Sequence, residues 1–88
     1  MNKAFTDIAW EQYLSWQNQD KKILKKINSL IKDIERNGVL DGIGRPERLI
    51  GDLNHLYSRH ITDEHRLVYY IEGENIIIVA CKSHYESI

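Results

Sequence analysis

The sequence predicts an α+β fold in which two N-terminal helices pack on a twisted antiparallel sheet. Three observations predict it. Apolar residues of the first half recur at helical spacing, those of the second half follow strand patterns, and a glycine-containing loop over residues 37–46 separates the halves. With 88 residues, 42% of them hydrophobic, the chain suits one core. We therefore expect a single domain over residues 1–88.

A helical hairpin is predicted for the N-terminal half. After a short strand near residues 3–8, Thr6 or Asp7 offers a side-chain oxygen that caps a first helix. Asp20 offers the next cap, and Gly38 ends the second helix because glycine readily adopts the left-handed conformation of a closing turn. The apolar stripe of that second helix consists of Ile23, Leu24, Ile27, Leu30, Ile31 and Ile34. Its lysines are interpreted as the solvated side of the helix.

The C-terminal half predicts an antiparallel meander of three strands. Residues 56–61, 65–71 and 75–82 are rich in β-branched and aromatic residues, and short polar segments divide them. The last strand contains an unbroken apolar run over 76–80, which is typical of a strand covered on both faces. The helices are expected to cover one of these faces.

Composition limits the classes of function. A formal net charge of −1 and a pI near 6.4 are not the basic balance of a general phosphate binder, so any contact with nucleic acid must be local. No apolar run approaches the ~20 residues of a membrane helix. The N-terminus has no secretory signal pattern, so we expect a cytoplasmic protein without a membrane partner.

Metal and disulfide chemistry is not expected. Cys81 is the only cysteine, so an internal disulfide and a cysteine metal cage are excluded. Its apolar neighbours predict a buried core thiol. No pair of histidines has a helix or knuckle spacing that converges on one ion, so no metal or other cofactor is predicted.

Four polar residues of the C-terminal half could share one concave face of the sheet. Side chains alternate along a strand, so Arg66 and its neighbour Leu67 lie on opposite faces of the sheet. If the last strand continues past Lys82, the side chain of His84 lies on the same face as that of Lys82. The candidate set is Glu47, Arg59, Arg66 and His84. A base, an acid and fixed positive charge are what RNA cleavage by its own 2′-hydroxyl requires.

Each of these residues also has a simpler interpretation. Glu47 could cap a turn, Arg66 could pair with a neighbouring carboxylate of Asp63 or Glu64, and His84 could be a solvated terminal residue. Composition and spacing leave both interpretations open. Tyr85, which follows outside the apolar run, could stack on a base.

Nearly the whole chain resembles the YoeB branch of the RelE-type toxins. The resemblance rests on successive blocks in a specific order: Trp10-Glu11-Gln12-Tyr13-Leu14-Ser15-Trp16-Gln17, Asp20-Lys21-Lys22-Ile23-Leu24-Lys25-Lys26-Ile27-Asn28, Gly44-Arg45-Pro46-Glu47, Tyr57-Ser58-Arg59, Ile61-Thr62-Asp63-Glu64-His65-Arg66-Leu67-Val68-Tyr69 and Ala80-Cys81-Lys82-Ser83-His84-Tyr85. It implies a microbial-ribonuclease type of fold. It also implies a toxin endoribonuclease that cleaves messenger RNA in the ribosomal A site without a cofactor and so inhibits translation.

The resemblance also assigns roles to the candidate residues. It implies that Glu47 is the general base for the 2′-hydroxyl, that His84 is the general acid for the leaving 5′-oxygen, and that Arg66 holds the phosphate. Arg59 is expected to assist, and Tyr85 to position the substrate base.

Two further residues complete the expected substrate-binding set, namely Lys82 and His60. His60 stands where the family usually has a second arginine, and Ile50 stands where it usually has a lysine. The expected site therefore has fewer positively charged residues than the family pattern.

Partners follow from the same resemblance. It implies homodimers, contact with the ribosome and messenger RNA, and inhibition by a YefM-type antitoxin through which the complex binds operator DNA. The alternatives are a non-catalytic toxin of the ParE type, which inhibits gyrase and lacks the Glu, Arg and His-Tyr set, and a degenerate toxin kept only as a binding partner.

Overall fold

The computed structural model describes residues 1–83, so the predicted site residues His84 and Tyr85 lie outside the described residues. The elements in chain order are β1 (Asn2–Phe5), α1 (Asp7–Gln19), α2 (Lys21–Asn37), β2 (Glu47–Arg48), a 3₁₀ turn (Gly51–Leu53), β3 (Tyr57–His60), β4 (Arg66–Glu72) and β5 (Asn75–Ala80). The strands form one sheet in the order β1-β5-β4-β3-β2. The predicted α+β fold with two helices against a sheet is confirmed.

The sheet is mixed, which corrects the prediction of a wholly antiparallel sheet. β1 runs parallel to β5, with Ala4 paired to Ile77, whereas the pairs β2-β3, β3-β4 and β4-β5 are antiparallel. A parallel pair needs a long connection between its strands, and here the helices, β2, β3 and β4 all intervene. Alternation of side chains along a strand carries no information about the direction of the neighbouring strand.

The predicted helix ends are confirmed by their hydrogen bonds. The Thr6 hydroxyl accepts from the Ala9 amide at 3.1 Å, and the Asp20 carboxylate accepts from the Lys22 amide at 3.0 Å. At the end of α2, the amide of Gly38 donates to the Ile34 carbonyl, and Gly38 has a φ of +94°. These caps satisfy backbone groups that a bare helix end would leave unpaired.

The sheet has two different faces. The helix face is covered by α1 and α2, and its main core includes Ile27, Leu30, Ile34, Leu67, Tyr69, Ile76 and Ile78. The opposite face, here called the open face, has a smaller apolar cluster of Leu49, Leu56, Val68 and Ala80. Alternation along β4 is therefore confirmed, since Leu67 and Tyr69 face the helices while Val68 faces away.

The chain turns away from the sheet at Cys81, because β5 ends at Ala80 and does not continue to Lys82 as predicted. The Cys81 amide donates to the Gln12 side chain at 2.7 Å, and the thiol is fully buried. Burial raises the pKa of Cys81 to about 12, so this thiol is the inert core group that its neighbours predict. Neither α1 nor α2, the two α-helices of residues 1–83, has the length and apolar composition of a membrane-spanning helix.

Candidate functional site

The open face brings three of the predicted site residues together. Strand register pairs Glu47 with Ser58 and pairs His60 with Arg66. Directly paired residues in an antiparallel sheet have side chains on the same face. Because Glu47, Ser58, His60 and Arg66 alternate with residues of the helix face, all four side chains belong to the open face.

One end of the Arg66 guanidinium is held by backbone carbonyls, and its other donors have no partner within residues 1–83. Its Nη1 donates to the carbonyls of Thr62 at 2.8 Å and Asp63 at 3.0 Å. Its Nε and Nη2 make no hydrogen bond to residues 1–83. Within that part of the chain Arg66 has no carboxylate partner, so the predicted alternative of an ion pair with Asp63 or Glu64 is not what the structure shows. An arginine that is held at Nη1 and presents its remaining N–H groups is suited to bind a phosphate.

His60 lies half-buried in the same region. Burial lowers its pKa, and the positive charges of Arg66 and Arg45 lower it further, while Glu47 and Asp63 act in the opposite direction. His60 is therefore neutral at pH 7. It offers a hydrogen-bonding imidazole where an arginine would offer a fixed charge.

The chain just before His84 is fixed beside Arg66 by two hydrogen bonds. The Ser83 amide donates to Nδ1 of His65 at 2.7 Å, and the Arg66 amide donates to the Ser83 carbonyl at 3.0 Å. The ring of His65 is itself held edge-on against Trp16, with ring centroids 4.8 Å apart. Sequence analysis missed His65, because its partner lies on a segment that only the tertiary fold brings near.

Arg59 requires a correction, because it lies on the helix face and is fully buried. All five of its N–H groups are used within the protein: Nε donates to the Tyr69 hydroxyl, Nη1 to the Asp33 carboxylate and the Ile43 carbonyl, and Nη2 to the carbonyls of Gly38 and Asp41. No donor remains for a substrate phosphate. The alternation that places Ser58 and His60 on the open face necessarily turns Arg59 away from it.

Arg59 instead holds the loop that leads to Glu47. Three of its five partners are carbonyls of residues 38–43. The loop packs so closely that a Cβ at Gly42 would collide with the Asp33 carboxylate. The carbonyl of Gly44 then accepts from the His60 amide at 2.6 Å, three residues before Glu47. Arg59 therefore acts from the helix face of the sheet, where it fixes the backbone of the loop that leads to Glu47.

Lys82 also requires a correction. Its ammonium group donates to the side chains of Ser15 and Gln19 in α1, and it lies 4.8 Å from the ring centroid of Trp16. This direction follows from the end of β5 at Ala80, after which the alternation of faces no longer applies. The structure therefore places Lys82 against α1, away from the open-face residues.

Comparison with known proteins identifies relatives of nearly equal length. A family model for the YoeB-like toxin of bacterial type II toxin-antitoxin systems matches residues 5–85. Toxin YoeB of Synechocystis is 49% identical over 98% of this chain and 99% of that protein.

Solved structures give the same result. The YoeB dimer of Staphylococcus aureus is 50% identical, with a TM-score of 0.91 over 97% of this chain and 98% of that one. The heterotetrameric YoeB-YefM complex of the same organism contains a chain that is also 50% identical, with a TM-score of 0.90 and the same coverage. The chain described here therefore belongs to the YoeB-like toxins of bacterial type II toxin-antitoxin systems.

Proposed function

We propose that this toxin is a ribosome-dependent endoribonuclease that cleaves messenger RNA in the A site and so stops translation. The observation that carries the proposal is the convergence of Glu47, His60 and Arg66 on the open face, beside the segment that leads into His84. A carboxylate, an arginine whose Nε and Nη2 have no partner within residues 1–83, and a neighbouring histidine make up the set that metal-independent cleavage requires.

The proposed reaction uses the RNA's own 2′-hydroxyl as nucleophile. Glu47 accepts the 2′-hydroxyl proton as the 2′-oxygen attacks phosphorus, and Arg66 neutralises the charge that develops on the phosphorane. His84 donates a proton to the 5′-oxygen as the P–O bond breaks. The products are a 2′,3′-cyclic phosphate and a 5′-hydroxyl end, and the step needs neither a metal nor another cofactor.

The remaining residues take supporting roles in this proposal. His60 lies beside Arg66 and, being neutral, donates a hydrogen bond to the substrate without adding charge. Tyr85 stacks on the substrate base. Arg59 acts only through the loop that it holds, and Lys82 through its contacts with α1.

The proposed partners follow from the relatives. Because closely similar YoeB chains are found as a dimer and in complex with YefM, we propose that this chain forms homodimers and is inhibited by a YefM-type antitoxin, which in turn carries the complex to operator DNA. Its targets, the ribosome and messenger RNA, place its action in the cytoplasm.

Toeprinting of a translated message tests the proposed function. Added wild-type toxin is expected to create new 5′ ends within the codon in the A site, and addition of the antitoxin is expected to abolish them. Inhibition of gyrase supercoiling without new RNA ends would support the ParE-like alternative. Antitoxin binding with neither activity would indicate a degenerate toxin.

Because the proposed site has few positively charged residues, we predict that substitutions which add positive charge increase cleavage. Ile50 is 83% exposed, and His60 is neutral, so neither position supplies a cation. Changing Ile50→Lys and His60→Arg together is expected to raise cleavage at 200 mM salt by about tenfold, because more phosphate contacts strengthen binding. Cleavage should be measured against salt concentration, with Leu40→Lys, a substitution at an exposed position of the 38–44 loop, as the control for added charge. An equal gain in the control would place positions 50 and 60 outside the substrate path.

A further inference from the structure

Ser58 has an unusual environment at the centre of the open face. Its side chain is fully buried, and its hydroxyl is the one buried side-chain oxygen or nitrogen within residues 1–83 without a hydrogen-bond partner. A buried hydroxyl without a hydrogen-bond partner destabilises the folded state. Alanine has nearly the same shape and avoids that cost, so the presence of serine needs a reason other than packing.

The sheet register limits what the Ser58 hydroxyl can reach. One row of open-face residues runs across four strands, from Glu47 through Ser58 and Val68 to Ala80. Val68 and Ala80 are aliphatic and can accept nothing. Glu47 is thus the only side chain of this row that can accept a hydrogen bond from Ser58.

The distance between the two residues is suitable for such a bond. Directly paired residues in an antiparallel sheet have Cβ atoms about 4.5–5.5 Å apart. The Glu47 side chain is exposed and makes no hydrogen bond to residues 1–83, so its rotatable bonds are free to turn the carboxylate toward Ser58. The serine is rigidly buried, so the carboxylate would be the group that moves.

We propose that Ser58 is a positioning residue for the general base: when RNA covers the open face, its hydroxyl donates a hydrogen bond to the Glu47 carboxylate. The inference rests on the proposed function of Glu47. The bond would fix one carboxylate oxygen and leave the other directed at the 2′-hydroxyl. It would also favour the ionised carboxylate, which is the form that accepts a proton.

Other charged and titratable groups lie around the neighbouring His60 or on the open face, and they must be considered in any pH dependence. They come from the preceding loop, the neighbouring strands and the turn before β4: Arg45, His60, Asp63, Arg66 and Tyr70. None of them is altered by a substitution at Ser58. A change in the pH profile of a Ser58 variant therefore reports on the bond to Glu47.

Ser58→Ala tests the proposal through two readouts that should move in opposite directions. Removal of the unpaired hydroxyl is expected to raise Tm by about 4 °C. Single-turnover cleavage of ribosome-bound message is expected to fall by about tenfold, the value of one hydrogen bond to a charged group. The acid limb of its pH profile should move to higher pH, because the carboxylate loses a bond that favours its ionised form.

Two companion variants separate positioning from packing. Ser58→Cys keeps the volume but is a weak donor, so it should be about as slow as Ser58→Ala, and it carries the test if the alanine variant does not fold. Ser29→Ala, an exposed serine of α2, should match the wild type in rate and pH profile.

Three results would overturn the proposal. They are an unchanged cleavage rate in Ser58→Ala, a lower rate with an unmoved acid limb, and a Ser58→Cys variant as fast as the wild type. A wild-type chain that does not cleave would instead overturn the proposed function, and the inference with it. The two failures are therefore distinguishable.

Discussion

Glutamine at position 47 is expected to lower single-turnover cleavage of ribosome-bound message by ~100-fold or more, because glutamine keeps the shape of the side chain but cannot accept a proton. The Glu47 side chain is exposed, so the variant should fold with little change in stability. Toxin binding to the ribosome should also be unchanged. Glu72→Gln, at the exposed end of β4, is the matched control and should cleave at the wild-type rate.

The same experiment with His84→Gln separates the two ends of the proposed reaction. A similar loss is expected, because glutamine cannot protonate the leaving oxygen. The Glu47 variant should lose the acid limb of the pH profile and the His84 variant the basic limb. If Glu47→Gln cleaves at the wild-type rate, Glu47 is not the general base, and the simpler interpretation that it caps a turn is supported.

Methionine at position 59 is expected to reduce the free energy of unfolding by about 3 to 5 kcal/mol, because the guanidinium is fully buried and several acceptors lose their donor at once. Methionine fills much of the space but leaves Asp33, the Tyr69 hydroxyl and three loop carbonyls without their donor. Urea denaturation would measure the loss. Arg48→Met is the control, because Arg48 is exposed and its guanidinium, 5.6 Å from the ring centroid of Tyr57, makes a cation–π contact worth about 0.5–1 kcal/mol.

A second substitution, at Asp33, tests whether the carboxylate left without Arg59 causes the loss of stability. Asp33→Leu added to Arg59→Met should restore part of the stability, because no charge is then left beside the core. A Tm of Arg59→Met within about 2 °C of the wild type would contradict the assignment, since each kcal/mol corresponds to about 4–8 °C in a domain of this size.

The Asp33-Arg59 pair also predicts how stability depends on pH. The hydrogen bond from Arg59 lowers the pKa of Asp33 below its ordinary value of 3.8, against the opposing effect of burial. Because the pKa in the folded state is the lower one, the pair's contribution is fully present above pH 3.8 and is lost as the pH falls through the folded value. Asp33→Asn should therefore flatten the stability profile below about pH 4.

Much of the fold could be read from local patterns. The helix caps at Thr6 and Asp20, the end of α2 at Gly38 and the faces of β4 all follow from contacts within a few residues, and the structure confirms each of them. The parallel pairing of β1 could not be predicted in this way. This pairing depends on which edge strand of the sheet is available to β1 during folding, and the spacing of residues within β1 does not indicate that.

For the candidate site, too, some features follow from the sequence and others only from the tertiary structure. The sequence by itself determined which chemical groups are present, namely Glu47, Arg66 and His84 in blocks that resemble a family, because chemistry depends on residue type. Only the tertiary structure decided which side chains meet. It places Arg59 and Lys82 toward the helices and fixes the segment before His84 through His65. It also leaves the Ser58 hydroxyl, in the row of Glu47, without a partner among residues 1–83. The physical reason is that each of these outcomes depends on strand register and on hydrogen bonds between segments far apart in the chain, which form only when the whole sheet is assembled.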